Sequence, residues 1–172
     1  VQLGMNVIGY DPFMSISAAW ALDHRVQYSE SLEAVYKKSD YITLHVPQTD
    51  DTKGMINSSS LKLMKKGVRI INIARGGLVN NGDILDALKS GKVTCFINDF
   101  AAEELLNAPN TICMPHLGAS TPEAEENCAD MAVDQLRAFL EKGNVVNSVN
   151  FPKTVTDNPI PKDGTRLCIS NK

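Results

Sequence analysis

Short apolar runs rich in β-branched residues recur along this chain: Val7 to Tyr10, Tyr41 to Val46, Val68 to Ile73, Cys95 to Asn98 and Thr111 to Met114. Each is too short for a helix. Such runs predict strands covered on both faces, as in a parallel sheet. A weaker strand is expected at Arg25 to Tyr28. Helical spacing fills the intervals. Ser31 to Lys38 carries Leu32, Val35 and Tyr36, and Ser58 to Lys65 carries Leu61 and Met64. Asp83 to Ser90 carries Ile84, Leu85 and Leu88, with Gly91 placed as a C-cap. The longest predicted helix runs from Pro122 to Lys142. Thr121 suits its N-cap, Pro122 its first position, and Glu123, Glu125 and Glu126 its positive end. Ala124, Cys128, Met131, Ala132, Leu136, Phe139 and Leu140 form an apolar stripe, and Gly143 closes the helix. Strands alternating with helices over short links predict an α/β fold built on a doubly wound parallel sheet.

At 172 residues the chain is long enough for one domain with a core. Its 43% apolar and 22% charged residues are ordinary for a globular protein. A net charge of -3 leaves no electrostatic footprint for nucleic acid, so no nucleic-acid partner is expected. No apolar run approaches the roughly 20 residues that span a bilayer, so no membrane partner is expected either. Cys95, Cys113, Cys128 and Cys168 are widely spaced with no CxxC pair. They read as reduced core thiols of a cytoplasmic protein, and no metal site is expected.

Both ends read as cuts. Val1 to Asn6 looks like the last turn of a helix and a turn into the first strand, with nothing before it. Arg166 to Ser170 reads as a strand just opening. The chain is expected to be a piece of a longer protein. After Val149 the composition turns to Pro, Asn and Asp, as in a linker.

In open α/β sheets ligands lie outside the carboxyl ends of the strands, so the residues there carry the functional reading. Tyr10-Asp11-Pro12 puts a carboxylate after the first run. It reads either as an acceptor for a ribose hydroxyl or as a turn Asp before Pro. His45-Val46-Pro47 ends the second run, where a satisfied core or turn histidine is the commoner case and Pro47 exposes backbone groups that could face a ribose or ring. Arg75 follows Asn72-Ile73-Ala74 and precedes Gly76-Gly77, so the backbone can turn sharply close to a ligand. A guanidinium there either grips a carboxylate bidentately or is a salt-bridged surface arginine. Asn98-Asp99-Phe100 ends the fourth run, with Glu103 and Glu104 following. Glu103 and Glu104 either start a loop or helix or partner a histidine. His116, within Pro115-His116-Leu117-Gly118-Ala119-Ser120-Thr121, is the candidate proton carrier near neutral pH.

Together these segments resemble the D-isomer-specific 2-hydroxyacid dehydrogenases. The resemblance covers about Leu3 to Pro152. Its words are Gly9-Tyr10-Asp11-Pro12, His45-Val46-Pro47 with Thr49 and Thr52, Asn72 to Val79, and Pro115 to Thr121. It implies a Rossmann-like NAD-binding domain over 1–143, lacking its first strand and glycine loop. A return segment and linker over 144–164 would follow, then the start of an ACT-like regulatory domain over 165–172. It implies NAD as cofactor and oxidation at the CH–OH of a D-2-hydroxy acid, with 3-phosphoglycerate favoured by that tail. Glyoxylate, hydroxypyruvate or another 2-keto acid is the alternative substrate, and a non-catalytic NADH-binding regulator the alternative class. By the same resemblance Arg75 grips the substrate carboxylate, His116 is the acid/base, and Glu103 pairs with it. Glu104 takes that place if the alignment is set on Asp99. Asp11 would hold the adenosine ribose. His45, Val46, Pro47, Ala74, Arg75, His116 and the Gly118-Ala119 turn would line the cofactor cleft, with Asn98 or Asp99 facing the nicotinamide amide. The whole protein is expected to be a homodimer or homotetramer.

Overall fold

The computed structural model describes residues 1–156 together with Asp163 and Leu167. The chain divides into two compact units, Val1–His116 and Leu117–Lys172. Apart from the exposed Leu167, the expected strand at Arg166 to Ser170 and the ACT-like opening, with Cys168, lie outside the described residues.

In the first unit β1 (Ile8–Gly9) and β2 (Gln27–Tyr28) form a short parallel ladder of their own. The other strands are β3 (Tyr41–Leu44), β4 (Val68–Asn72), β5 (Val93–Asn98) and β6 (Thr111–Cys113). They pair in that order in one parallel sheet. The described residues thus hold two ladders where the sequence predicts one sheet. Asp11 limits β1, because its carboxylate accepts from the Phe13 amide at 2.8 Å and turns the chain. The register sets Leu44, Asn72, Asn98 and Cys113 in a row across the four-stranded sheet. The segments leaving these four residues therefore emerge at one edge.

The helices of this unit are α1 (Ile16–Ala21), α2 (Leu32–Lys38), α3 (Ser58–Leu63), α4 (Asn81–Lys89) and α5 (Glu103–Leu106). Local capping starts the middle ones. Ser31 Oγ accepts from the Ala34 amide, Asn57 closes a capping box on α3, and Asn80 Oδ1 accepts from the Asp83 amide. Gly91, at φ 68°, turns the chain out of α4 as its position predicts. The short α1 and the 3-10 turn Gly76–Leu78 have no counterpart in the sequence pattern, while α5 opens at Glu103, one of the acids read as starting a loop or helix.

One face of the sheet makes the core. Ile42, Leu44, Val68, Ile70, Val93 and Phe96 are buried there against Tyr36, Leu61, Met64, Ile84, Leu88 and Leu105. Each such side chain contributes about 1.5–3 kcal/mol of burial. The opposite face differs from expectation. Tyr41, Arg69 and Ile112 are exposed there, and Ile71 and Ile97 only half-buried. Arg69 lies 4.9 Å over the Tyr41 ring. Alternate burial along β3 and β4 shows strands with one covered face.

The second unit holds α6 (Pro122–Lys142), with Thr121 Oγ1 accepting from the Ala124 amide at 3.2 Å and Gly143 left-handed at φ 66°. Its boundaries are those the sequence predicts. Its apolar stripe is not core: α6 buries no residue, and Cys128 is exposed. An amphipathic pattern sets where a helix runs but does not supply the surface that covers it. Cys95 and Cys113 are half-buried and free, so none of the described cysteines lies in the core.

Candidate active site

The site grows from two buried asparagines. Asn72 and Asn98 are partners in the β4–β5 register and are 0% and 3% exposed. Buried amides must be satisfied, and these are. Asn72 Nδ2 donates to the Arg75 carbonyl at 3.0 Å and to Asn98 Oδ1 at 3.4 Å, while Asn72 Oδ1 accepts from the Ala74 amide at 3.3 Å. Asn98 Nδ2 donates to the Phe100 carbonyl at 2.6 Å. The backbone continues the stitch. The Asp99 amide donates to the Asn72 carbonyl at 3.0 Å, and the Met114 amide to the Asn98 carbonyl at 2.8 Å. The exits of β4, β5 and β6 are thereby fixed to one another.

Arg75 leaves β4 on this clamp. Its guanidinium is exposed, donates to the Ala74 carbonyl at 2.7 Å, and makes no ion pair among the described residues. The next turn explains its glycines. A Cβ on Gly76 would lie 3.2 Å from Phe100 Cβ, and one on Gly77 would overlap the Gln48 amide. Gln48 Oε1 accepts from the Gly77 amide at 3.1 Å, and the Gly54 amide donates to the Gly77 carbonyl at 2.8 Å. The segment after β3 is thus laced to the Arg75 turn. Thr52 braces that segment: its hydroxyl donates to the Pro47 carbonyl at 2.7 Å and accepts from the Thr49 amide at 2.8 Å.

His116 emerges after β6 with φ 56°, an unusual left-handed value for a residue with a side chain. Its ring lies 4.7 Å from the Phe100 ring. Its backbone amide donates to Asp99 Oδ1 at 3.0 Å, and Nδ1 lies 3.0 Å from Asp99 Oδ2. The His116 side chain is 55% exposed and that of Asp99 15%. Phe100 therefore touches the Arg75 turn on one side and the His116 ring on the other. The Arg75 turn and the His116 ring thus follow strands that end at the same sheet edge.

The remaining candidates fall differently. Glu103 opens α5, is exposed, and its side chain makes no hydrogen bond or ion pair among the described residues. Glu104 accepts from Asn81 Nδ2 at 2.9 Å, and this bond holds its carboxyl below the usual range. Asn98 is interior, and its amide is spent on Asn72 and Phe100; the side chain at the edge is that of Asp99. His45 is exposed, with Nε2 2.9 Å from Thr43 Oγ1 on its own strand. Val46 and Ala74 are half-buried against the core, and Pro47 is exposed. Gly118 and Ala119 belong to the second unit. The Asn72 clamp and the Gln48 brace are not among the sequence candidates. Only Asn72 carries a signal, as a polar residue ending an apolar run. Burial pushes the Cys113 thiol, at the end of β6, up from its ordinary value and keeps it protonated. A groove between α3 and α4, lined by Ser58, Lys62, Asp83 and Lys92, contains none of the strand-end residues.

An unpaired arginine follows β4, a carboxylate-bound histidine follows β6, and a turn carboxylate, Asp11, follows β1 in its separate ladder. Residues 1–118 match the family described as D-isomer specific 2-hydroxyacid dehydrogenase, NAD binding domain. The chain belongs to the D-isomer specific 2-hydroxyacid dehydrogenase family. It is 38% identical over 159 residues to the D-3-phosphoglycerate dehydrogenase of Methanocaldococcus jannaschii, covering 87% of this chain and 30% of that protein. It is 36% identical over 160 residues to the Bacillus subtilis enzyme of the same name, covering 90% of this chain and 30% of that protein. The chain thus spans 30% of the length of these relatives. Among solved structures it resembles a glyoxylate reductase from Paecilomyes thermophila, with TM-score 0.73, 28% identity, and coverage of 87% of this chain and 46% of that one. It also resembles an NAD-complexed D-isomer specific 2-hydroxyacid dehydrogenase from Lactobacillus delbrueckii ssp. bulgaricus, with TM-score 0.72, 27% identity, and coverage of 86% and 49%. The four-stranded parallel sheet with its flanking helices is accordingly Rossmann-like.

NAD is the cofactor of the matched domain. The residues present suit it chemically. Asp11 has one carboxylate oxygen committed to Phe13 and leaves the other as an acceptor for a ribose hydroxyl. A carboxylate at a ribose would disfavour the additional phosphate of NADP. Val46, Pro47 and Ala74 are apolar residues at the exits of β3 and β4. Among the described residues no helix is long and apolar enough to cross a membrane.

Proposed function

We propose that the intact protein is an NAD-dependent dehydrogenase of a D-2-hydroxy acid, with 3-phosphoglycerate as the substrate. The observation that carries this reading is that Phe100 lies against both the Gly76 backbone, next to the unpaired Arg75, and the exposed His116 ring, at the edge where β4, β5 and β6 end. An anionic 2-hydroxy acid needs a cation for its carboxylate and a base for its hydroxyl proton, one bond apart. Arg75 supplies the cation. Its planar fork grips both carboxylate oxygens and turns the carbinol toward the ring of His116. His116 takes the hydroxyl proton during oxidation and returns it during reduction. NAD, when bound, supplies the redox chemistry by accepting hydride from the carbinol carbon. Asp11 would hold its adenosine ribose, and Val46, Pro47 and Ala74 would line its cleft. The names of the relatives from Methanocaldococcus jannaschii and Bacillus subtilis support 3-phosphoglycerate over other acids of the family.

The test is oxidation of NADH by the intact protein with 3-phosphohydroxypyruvate, glyoxylate and hydroxypyruvate offered separately. The expected result is the highest kcat/KM with 3-phosphohydroxypyruvate. Preference for glyoxylate would move the substrate within the family. Turnover with no 2-keto acid, in a protein shown to bind NADH, would reject the enzyme reading.

A further inference from the structure

We propose that Asp99 is the carboxylate that positions His116, in the part that family resemblance gives to Glu103. The catalytic meaning of this inference rests on the dehydrogenase reading above.

Both oxygens of Asp99 are spent on the same residue. Oδ1 accepts from the His116 backbone amide at 3.0 Å and Oδ2 faces Nδ1 at 3.0 Å. A carboxylate accepts only, so Nδ1 carries the proton. Nε2 is left with its lone pair, the atom that must receive the substrate proton. The carboxylate is held firmly. Its own amide donates to the Asn72 carbonyl at 3.0 Å, and its side chain is 15% exposed. The imidazole is held on a second side by the Phe100 ring at 4.7 Å. The left-handed backbone of His116, at φ 56°, is a conformation that persists only where surroundings enforce it. The two bonds to Asp99 are such a constraint.

Strand alternation explains why position 99 serves and position 98 does not. Asn98 is the last residue of β5 and its side chain points into the interior, where it meets Asn72. The next side chain points out to the edge where β6 ends. Glu103 stands four residues farther on, at the start of α5, with its carboxylate bound to nothing among the described residues.

The 172-residue chain itself provides the test. Ring-nitrogen NMR at alkaline pH reads which nitrogen of a neutral imidazole carries the proton. The His116 signals are identified by their loss in His116→Gln, against those of His24 and His45. The expected wild-type pattern is the Nδ1–H tautomer. Asp99→Asn keeps an oxygen for the backbone amide but presents an NH2 group to Nδ1, so His116 switches to the Nε2–H tautomer. Glu103→Gln leaves the pattern unchanged. An Nε2–H tautomer in the wild type overturns the assignment without any variant, which covers an Asp99→Asn protein that does not fold. An unchanged pattern in Asp99→Asn, or a switch in Glu103→Gln, overturns it as well. In the intact protein, Asp99→Asn is expected to lower kcat by about 10²–10⁴-fold with NADH affinity unchanged, since the base then holds its proton on the wrong nitrogen. Equal loss of kcat in Glu103→Gln, with none in Asp99→Asn, reverses the roles. A wild type that reduces no 2-keto acid overturns the dehydrogenase reading, and Asp99's catalytic part with it. A tautomer that ignores Asp99 overturns this inference alone.

Discussion

At the scale of single residues, function depends on groups that the fold leaves unpaired. Arg75 has no carboxylate partner among the described residues and reaches back only to its neighbour's carbonyl. That contact is weak competition for an anionic substrate. Arg75→Lys keeps the charge and loses the fork, so substrate KM should rise about 10- to 100-fold, the worth of one charge-assisted hydrogen bond. NADH affinity, read by fluorescence titration, should change little. Equal loss of both affinities would remove Arg75 from the substrate. His116→Asn removes the proton carrier, and turnover should fall by roughly 10²–10⁴-fold while NADH still binds. Near-normal turnover would reject His116 as the acid/base. Both residues are legible in the sequence, because the glycines after Arg75 and the Pro115-His116 pair mark strand exits. The carboxylate beside His116 is not. Whether residue 98 or 99 turns inward at the end of β5 depends on where pairing with β6 stops, and the run Phe96 to Phe100 carries no mark of that point.

At the scale of elements, local signals gave local answers. Thr121, Pro122 and Gly143 bracket α6 by chemistry confined to its own ends, so its limits were readable. Its burial was not, since that depends on another surface. The same holds for the sheet. The apolar runs located β3 to β6, but alternating exposure along β3 and β4 shows only one face covered. The 3-10 turn Gly76–Leu78 that shapes the site was illegible because it is too short for periodicity. What joins the elements at the site is Asn72, wholly buried at the end of β4. Asn72→Ala would leave the Ala74 amide and the buried Asn98 Oδ1 without the partners they have now. One such orphaned group costs about 1–3 kcal/mol, so a loss of roughly 2–4 kcal/mol is expected in urea unfolding of the chain. Because the Arg75 turn hangs on the same amide, substrate KM should rise as well. A variant of unchanged stability would show that the clamp is incidental.

At the scale of the molecule, the first unit carries the core on which the site stands, and its cohesion can be tested apart from any substrate. Tyr36 on α2 is 4% exposed, packs into that core, and donates its hydroxyl to the Met55 carbonyl at 3.4 Å. It ties the helix before β3 to the segment leading into α3. Burial disfavours the phenolate and pushes the Tyr36 phenol up from 10.0 to about 12. The folded chain therefore keeps a proton that the unfolded chain releases. Stability from this source is present in full below the unfolded value and is lost as pH rises toward the folded one. Between about pH 10 and 12 the slope is roughly 1.4 kcal/mol per pH unit. Lysines also titrate in this range, so the informative quantity is the difference between wild type and Tyr36→Phe. Phenylalanine has no proton to release, although it loses the bond to Met55. Tyr36→Phe should be the less stable protein at pH 9, and the gap should close or reverse by pH 11.5 in urea unfolding monitored by circular dichroism. In phenolate absorbance the last-rising component of the wild type should be missing from the variant. A gap that stays constant with pH, or a late component that survives the substitution, would show that Tyr36 is solvated and that the core does not close over α2.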